Sequence, residues 1–427
     1  MNNLPKLRFP EFWDAGEWEE KKLGEIAALI TEKTGNKKYT LMSINAGVGL
    51  VSQIEKFGRE IAGNSYKNYF VIRENDFAYN KSATKDYPEG FIAMHSSMEL
   101  AAVPNSIFTC FRTQENKVYP QYLNYLFLCN LHGKWLKQFI SVGARAHGSL
   151  NIDNKYLLLL PIPLPKGESS LSEQQKIADC LSSIDDRITL ETKKLDTLKA
   201  HKKGLMQQLF PAEGETLPKL RFPEFQDSGE WEIKEFSKYI VLYRGSSPRP
   251  IQSYLSSDKS GVNWIKIGDT KSAKNFVISQ VEEKITPDGA KKSRRVNVGE
   301  LILANSMSYG KTYQIAIDGY IYDGWFVLRD YEKYFDKQFL LQLLNSEYMQ
   351  NQYERFSAGG IVQNISSDIV YKTVLPHTSL KEQQKIADCL SSIDEAIAAQ
   401  SQAIDLLKLH KKGLMQQLFP SVEEVRG

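Results

Sequence analysis

The chain has 427 residues, 42% of them hydrophobic and 25% charged, and its formal net charge is +3. That is ordinary globular composition, long enough for roughly two to four domains that each bury a core. It excludes a dedicated basic DNA-binding domain. The opening MNNLPKLRFPEF has no apolar h-region and is not a secretory signal. The greasiest run, LLLLPIPLP at Leu157–Pro165, is too short to span a bilayer and is broken by prolines. The four cysteines (Cys110, Cys129, Cys180, Cys389) lack metal-ligand spacing and read as buried reduced thiols. A soluble, cytoplasmic protein with no membrane partner is expected.

The chain opens on an arm, LPKLRFPEF at Leu4–Phe12, followed by GEWE. A first insert, about Trp18 to Pro165, mixes short alternating strands (YTLMSIN, NDFAYNKS) with a helical stretch over Pro120–Phe139. It ends in the glycine-bearing loop Ser141–Ile152 and a short apolar strand closed by proline. From Ile177 the apolar residues step by three and four: Ile177, Leu181, Ile184, Ile188, Leu195, Leu198, Leu205, Leu209. That is a coiled-coil seam, and no proline falls within Ser172–Phe210. At about 1.5 Å per residue it makes a rod on the order of 58 Å, stopped at Phe-Pro.

The pattern then repeats. LPKLRFPEF returns at Leu217–Phe225; EQQKIADCLSSID at Glu173–Asp185 recurs at Glu382–Asp394; and HKKGLMQQLFP at His201–Pro211 recurs at His410–Pro420. A second insert, about Trp231 to Pro376, carries NWIKIGD, VNVGELILANS and GYIYDGWFVL, then a helix over Lys337–Arg355 and the loop SAGGIVQNI at Ser357–Ile365. The second rod, Lys381–Phe419, repeats the seam with Ile386, Leu390, Ile393, Ile397, Ile404, Leu407, Leu414 and Leu418. Two seam positions are polar in each copy: Glu191 and Lys202, then Gln400 and Lys411. They either set register and partner choice or simply face solvent. Self-similarity with a domain-sized period is the organising feature.

The expected fold class is α+β: two target-reading heads of similar fold, separated by two long helices forming an antiparallel coiled coil with a pseudo-twofold internal repeat. The expected domains are 1–170 (arm and first head), 171–211 (first rod), 212–379 (linker arm and second head) and 380–427 (second rod and tail). Residues 1–170 carry net +3 and 216–379 net +2, against −1 for each of 171–215 and 380–427. The mild positive bias of the inserts suits nucleic acid.

No motif carries catalysis. NSMSYGKT at Asn305–Thr312 has Asn305 where a P-loop needs its first glycine, and GVG at Gly47–Gly49 lacks the third glycine of a dinucleotide site. No aromatic-terminated NPP tetrapeptide is present, and Asp288 lacks an acidic-x-Lys partner at nuclease spacing. The six histidines are scattered and form neither a zinc site nor a triad. No catalytic residue and no metal ligand is assigned.

Candidates for DNA contact are Lys291, Lys292, Arg294 and Arg295, whose cations would neutralise phosphates, and Arg244 and Arg249 in the proline-stiffened YRGSSPRP. The glycine loops offer Arg145 and His147 in the first head and Gln363 and Asn364 in the second, residue types that read base edges. Asn80, Lys81 and Lys85, and Asn305, Ser306, Tyr309 and Lys311, follow strand patterns and extend the same set. Each cluster has a plain alternative as a solvated turn or helix end.

The duplicated set of LPKLRFPEF…GEW, a glycine loop with Asn-Ile and a proline-ended strand, EQQKIADCLSSID and HKKGLMQQLF resembles the specificity subunit of type I restriction–modification systems, over the full length. In the second head, GSSP at Gly245–Pro248 followed by WIKIGD looks like a common opening of a target recognition domain; the first head lacks it. The resemblance implies a non-catalytic chain that reads a bipartite, asymmetric sequence in double-stranded DNA, one half per head, with the rods as spacer. It implies partners: methyltransferase subunits, two copies, and restriction subunits. S-adenosylmethionine, ATP and Mg would sit on those partners and no cofactor on this chain. Exposed rod faces and the arm phenylalanines Phe9, Phe12, Phe222 and Phe225 are candidate subunit contacts, with packing inside the chain as the alternative. A specificity chain of a methylation-only complex, or a coiled-coil adaptor protein, are the other readings.

Overall fold

A computed structural model describes residues 4–420, apart from 46, 63, 64, 143–147, 149, 307–309 and 358–363. The chain divides into two compact units, Met1–Leu190 with Asp405–Gly427, and Glu191–Ile404. The division falls inside the rods rather than at their ends, because each half-rod buries its seam in its own unit. Among the described residues no helix is long and apolar enough to cross a membrane.

The rods are helices Ser170–Leu209 and Leu380–Leu418, within two residues of the expected bounds. In the second unit Glu191 meets Gln400 and Lys202 meets Asp394, so numbers rise along one helix as they fall along the other: the pairing is antiparallel. The polar seam positions are not solvent-facing. Glu191 and Gln400 are 8% and 7% exposed, and Gln400 Nε2 donates to Glu191 Oε2 at 2.6 Å and to its carbonyl at 3.0 Å. Lys202 Nζ lies 2.7 Å from both Asp394 oxygens. In the first unit Lys411 Nζ lies 2.6 Å from both oxygens of Asp185.

The first head has a sheet ordered Ala27–Leu29, Phe108–Thr113, Phe77–Asn80, Phe91–Met94, and a second ordered Gly49–Ser52, Thr40–Asn45, Ala101–Val103, Phe70–Ile72. The second head repeats the plan with other residues: Val241–Arg244, Trp325–Arg329, Leu301–Ala304, Thr312–Ile315 and Val277–Ile278, beside a five-stranded sheet ending on the edge strand Arg294–Val296. In each, a strand opened by or following the GEW tryptophan pairs antiparallel with the proline-bearing strand that leaves the head, Trp18–Lys22 with Pro161–Pro165 and Glu232–Glu235 with Val374–His377. These are two-stranded pairings, where proline's missing donor is tolerated.

Each head helix expected as one is two. Pro120–Leu128 stops before Asn130, which adopts a left-handed conformation (φ 58°), and Leu131–Leu136 follows. Lys337–Leu344 and Glu347–Ser357 are parted at Asn345, whose amide accepts from Thr312 N at 3.1 Å and donates to Thr312 O at 2.8 Å. Side-chain bonding to a strand competes here with helix continuation. Short helices at Asn154–Leu158 and Ser367–Lys372, between the Asn-Ile pairs and the exit strands, have no counterpart in the sequence reading.

The repeated ends are explained by one buried cluster, made twice. Arg8 forks onto Glu173 (Nε–Oε1 2.8 Å, Nη2–Oε2 2.7 Å), its Nη1 donates to Gly16 O, and Trp18 Nε1 donates to Glu173 Oε1 at 3.3 Å. Arg221, Glu382, Gly229 and Trp231 repeat it, with arginine–carboxylate distances of 2.7 and 2.9 Å. Gln174 and Gln383, next in sequence, accept from the backbone N–H of Tyr119 and Asp336, the N-caps of the head helices. Leu7 N donates to Gln417 O, and Leu220 N to Gln208 O, so each arm also grips the end of a rod.

Glu173 and Glu382 are each 1% exposed. Removing one partner of a buried pair leaves an uncompensated charge, at about 3–5 kcal/mol. Arg221→Ala should therefore lower unfolding stability by that amount in a denaturant titration, with Arg8→Ala doing the same in the first unit. His132 is buried, donates through Nε2 to Gly90 O at 3.3 Å, and burial holds its pKa down to about 4, against 6.5 when unfolded. The unfolded chain thus binds the proton first, and the stability carried by the neutral ring, full above about pH 6.5, is lost as pH falls toward 4. His132→Gln should flatten the fall of melting temperature across that window.

Candidate nucleic-acid interface

The second head gathers most of the cations expected at DNA. Strand Val241–Arg244 runs into the GSSP turn, and Gly245 sits where a Cβ would lie 1.9 Å from Tyr322 O, so only glycine fits. Asp323 is the hub of this corner. Its carbonyl accepts from Arg244 Nε at 3.2 Å and from Asn305 Nδ2 at 3.0 Å, and its carboxylate accepts from Ser247 Oγ at 2.6 Å. Arg249, 83% exposed, stands 3.6 Å from the same carboxylate. A cleft of about 310 Å³ brings Arg244, Asn305 and Asn364 together. Asn305 itself is buried, and its backbone carbonyl accepts from Ile365 N at 2.9 Å. Its side-chain Nδ2 braces the corner. Ser306 pairs with Asn364 as an isolated antiparallel bridge, and its hydroxyl lies 3.3 Å from Tyr322 OH.

The KKSRR cluster adjoins this corner. Ser246 Oγ donates to Lys292 O at 2.9 Å, and Arg294 Nε donates to Arg244 O at 2.5 Å. Lys291, Lys292, Arg294, Arg295 and Arg329 line one cleft of about 420 Å³ with no acidic residue among its walls. Three of its cations lie over rings: Lys292 Nζ is 4.6 Å from the Tyr254 centroid, and Arg294 and Arg329 are 5.3 and 5.5 Å from that of Tyr243. Lys291 pairs with Asp288 at 2.8 Å, but both side chains are exposed and such a pair is weak in water. Arg295 is exposed on the edge strand. Arg329 Nε donates to Glu300 Oε1 at 2.7 Å, outside the cleft walls, and cations grouped in this way suit phosphate oxygens. Lys311 is half-buried, and burial pushes its amine pKa down. Tyr309 and Gln363 lie outside the described residues. A further cleft of this unit, about 590 Å³, lies between rod residues around Lys203 and the head helices around Glu347, and shares no residue with either basic cleft.

The first head is built alike at the same strand end. Asn80 Oδ1 accepts from Ser82 N at 3.1 Å, Lys81 O accepts from Leu150 N at 2.8 Å as Asn305 O accepts from Ile365 N, and Ala83 N donates to Gly148 O at 2.6 Å. Gly148 has φ +64°. Lys81 is half-buried, and burial lowers its amine pKa, while Lys85 is exposed. Arg145 and His147 lie outside the described residues, on the loop whose flanks Ser141–Val142 and Leu150–Asn151 pair antiparallel.

The arm phenylalanines are largely taken up within their own units. Phe12 is buried, Phe9 and Phe222 pack on the two main cores, and Phe225 is half-buried. Sequence reasoning missed Asp323, Arg329 and Tyr243. Arg329 ends the apolar strand WFVLR, the one signal that could have pointed to it.

The model of the type I restriction modification DNA specificity domain matches the chain twice, over residues 15–200 and 228–409. The chain belongs to that family. It is similar to the type I restriction enzyme MjaVIII specificity subunit of Methanocaldococcus jannaschii, at 27% identity over 311 residues, covering 69% of each chain. It is also similar to the putative type I restriction enzyme MjaX specificity subunit of the same organism, at 26% identity over 420 residues, covering 94% of this chain and 93% of the other. Two solved structures share the fold. One, from work on complex assembly and conformational transition of the type I R-M system, aligns with TM-score 0.59 at 16% identity, covering 95% of this chain and 98% of that one. The type I restriction-modification S subunit from M. genitalium aligns with TM-score 0.55 at 12% identity, covering 98% and 100%. As a specificity subunit the chain recognises DNA sequence and is not the catalyst.

Replacing Lys292 and Arg295 together by alanine should weaken DNA binding evenly across sequences. The slope of log affinity against log salt should fall in magnitude by about 2 if both neutralise phosphates. A titration of the variant complex over a salt series reads this directly.

Proposed function

We propose that this specificity subunit reads a bipartite, asymmetric DNA target, one half per head, with the paired rods setting the unspecified gap. The observation that carries the reading is the duplicated Arg–Glu–Trp cluster, which mounts two heads of one strand plan and different surfaces on equivalent frames. Phosphate contacts at the basic cleft would position the second head, and groups at the strand-end corner and glycine loop would read bases. Arg145, His147, Gln363 and Asn364 are the proposed loop readers.

In this reading the chemistry belongs to partner chains. Two methyltransferase subunits bind S-adenosylmethionine and methylate adenine, restriction subunits use ATP and Mg to translocate and cleave, and the complex works in the cytoplasm. Exposed rod faces are proposed as the subunit contacts, with Phe225 the arm phenylalanine best placed to join them. A complex with methyltransferase alone would use the same surfaces.

A genome-wide map of methyladenine, with the gene intact and deleted, tests the proposal. Loss of one split, asymmetric methylated motif on deletion is the expected result. Exchange of 231–376 for another head should then change one half-site and leave the other, and a change in both would defeat the modular reading.

A further inference from the structure

The aspartate that closes each EQQKIADCLSSID block does more than pair the rods. In the second unit Asp394 accepts from Lys202 through both oxygens at 2.7 Å, and Gln342 Nε2, on the head helix, donates to its Oδ2 at 2.8 Å. Asn275 of the same head donates to the Asp394 carbonyl at 3.4 Å. In the first unit Asp185 accepts from Lys411 at 2.6 Å, and Tyr125 OH donates to its Oδ2 at 2.8 Å. Tyr125 and Gln342 are chemically unrelated, yet each lies six residues past the N-cap of its head helix, Tyr119 and Asp336. Those N-caps are themselves bonded to Gln174 and Gln383 of the same blocks. Two heads with divergent sequences thus place a donor on the same repeated carboxylate.

Each head helix is therefore hydrogen-bonded to a rod at two points, Gln174 and Asp185 or Gln383 and Asp394, about 16 Å apart along the rod. One attachment leaves a hinge; two define an angle. Neighbouring base pairs differ by about 3.4 Å and about 35° around the duplex. A head free to turn by that much would accept the next gap length as readily as the correct one.

We propose that Asp185 and Asp394 are positioning residues that key each head to the rods, and that they set how strictly the gap between half-sites is enforced. The proposal rests on the two-head reading above. The second key is the tighter: Lys202 and Asp394 are 12% and 14% exposed, against 40% for Asp185, so water screens it less.

The test uses the full chain expressed with its methyltransferase subunits and maps methyladenine for wild type, Asp394→Asn and Gln342→Leu. The expected result is retention of both half-sites together with newly methylated sites whose gap is one base pair longer or shorter. Tyr125→Phe, which keeps the ring beside Lys411 and removes only the hydroxyl, asks the same of the first head should a second-head variant fail to accumulate. A single unchanged gap in the accumulating variants, even with fewer sites methylated, overturns the keying role and leaves these contacts merely structural. Absence of any split motif from the wild-type map overturns the two-head reading and the keying role with it.

Discussion

A carboxylate with almost no access to water stands at the head of each rod, Glu173 in one unit and Glu382 in the other. Neither is tolerable alone, because an unpaired buried charge is expensive, and each is met by an arginine fork from the RFPEF arm and an indole N–H from the GEW strand. The start of the rod is thereby brought to the arm and the first strand of the head, which lie more than 150 residues earlier in sequence. A buried pair of this kind adds little net stability over a well-packed apolar cluster. What it does supply is a geometry that fails if any one member changes. That gives a physical reason why arm, GEW and EQQ appear twice in nearly identical letters while the heads between them do not.

Outside that frame the heads need keep only their strand plan. The sheet that begins at Ala27 in one and Val241 in the other has the same order through four strands, yet one head fills its core with Phe77, Phe111 and Phe127 and the other with Leu303, Phe326 and Phe339. Surface chemistry is freer still. The cation-lined cleft of the second head arises because its extra edge strand, Arg294–Val296, lies beside the GSSP turn, with Arg294 bonded to Arg244 O and Asp323 tying the turn to the strand ends. Two arginines stacked on Tyr243 and a lysine on Tyr254 are pre-oriented, which lowers the ordering cost of a phosphate contact.

The residues singled out at the site divided according to burial. Charged side chains in loops and on the edge strand, such as Lys292, Arg295 and Arg249, are where their polarity suggests. Asn305 resembles a base reader in sequence, but it is buried, with its side-chain Nδ2 spent on Asp323 O and its backbone carbonyl on Ile365 N. Asp323 and Arg329 escaped notice because an aspartate in a turn and an arginine at a strand end carry no motif. Their roles exist only once separate strands are side by side.

By itself the sequence determined the long-period architecture: two rods stopped by prolines, two arms and two inserts, while the antiparallel pairing of the rods was decided by contacts such as Glu191 with Gln400. The rods, arms and inserts follow from periodicity and repetition, which are local and can be counted along the chain. The tertiary structure alone decided where the head helices break, that Glu191 and Gln400 are buried against each other rather than wetted, and which residue from each divergent head meets the repeated aspartate. Each of these depends on a partner from 52 to 209 residues away or on competition between a side chain and a helix. Such energies belong to pairs brought together by folding, and no single stretch of sequence contains them.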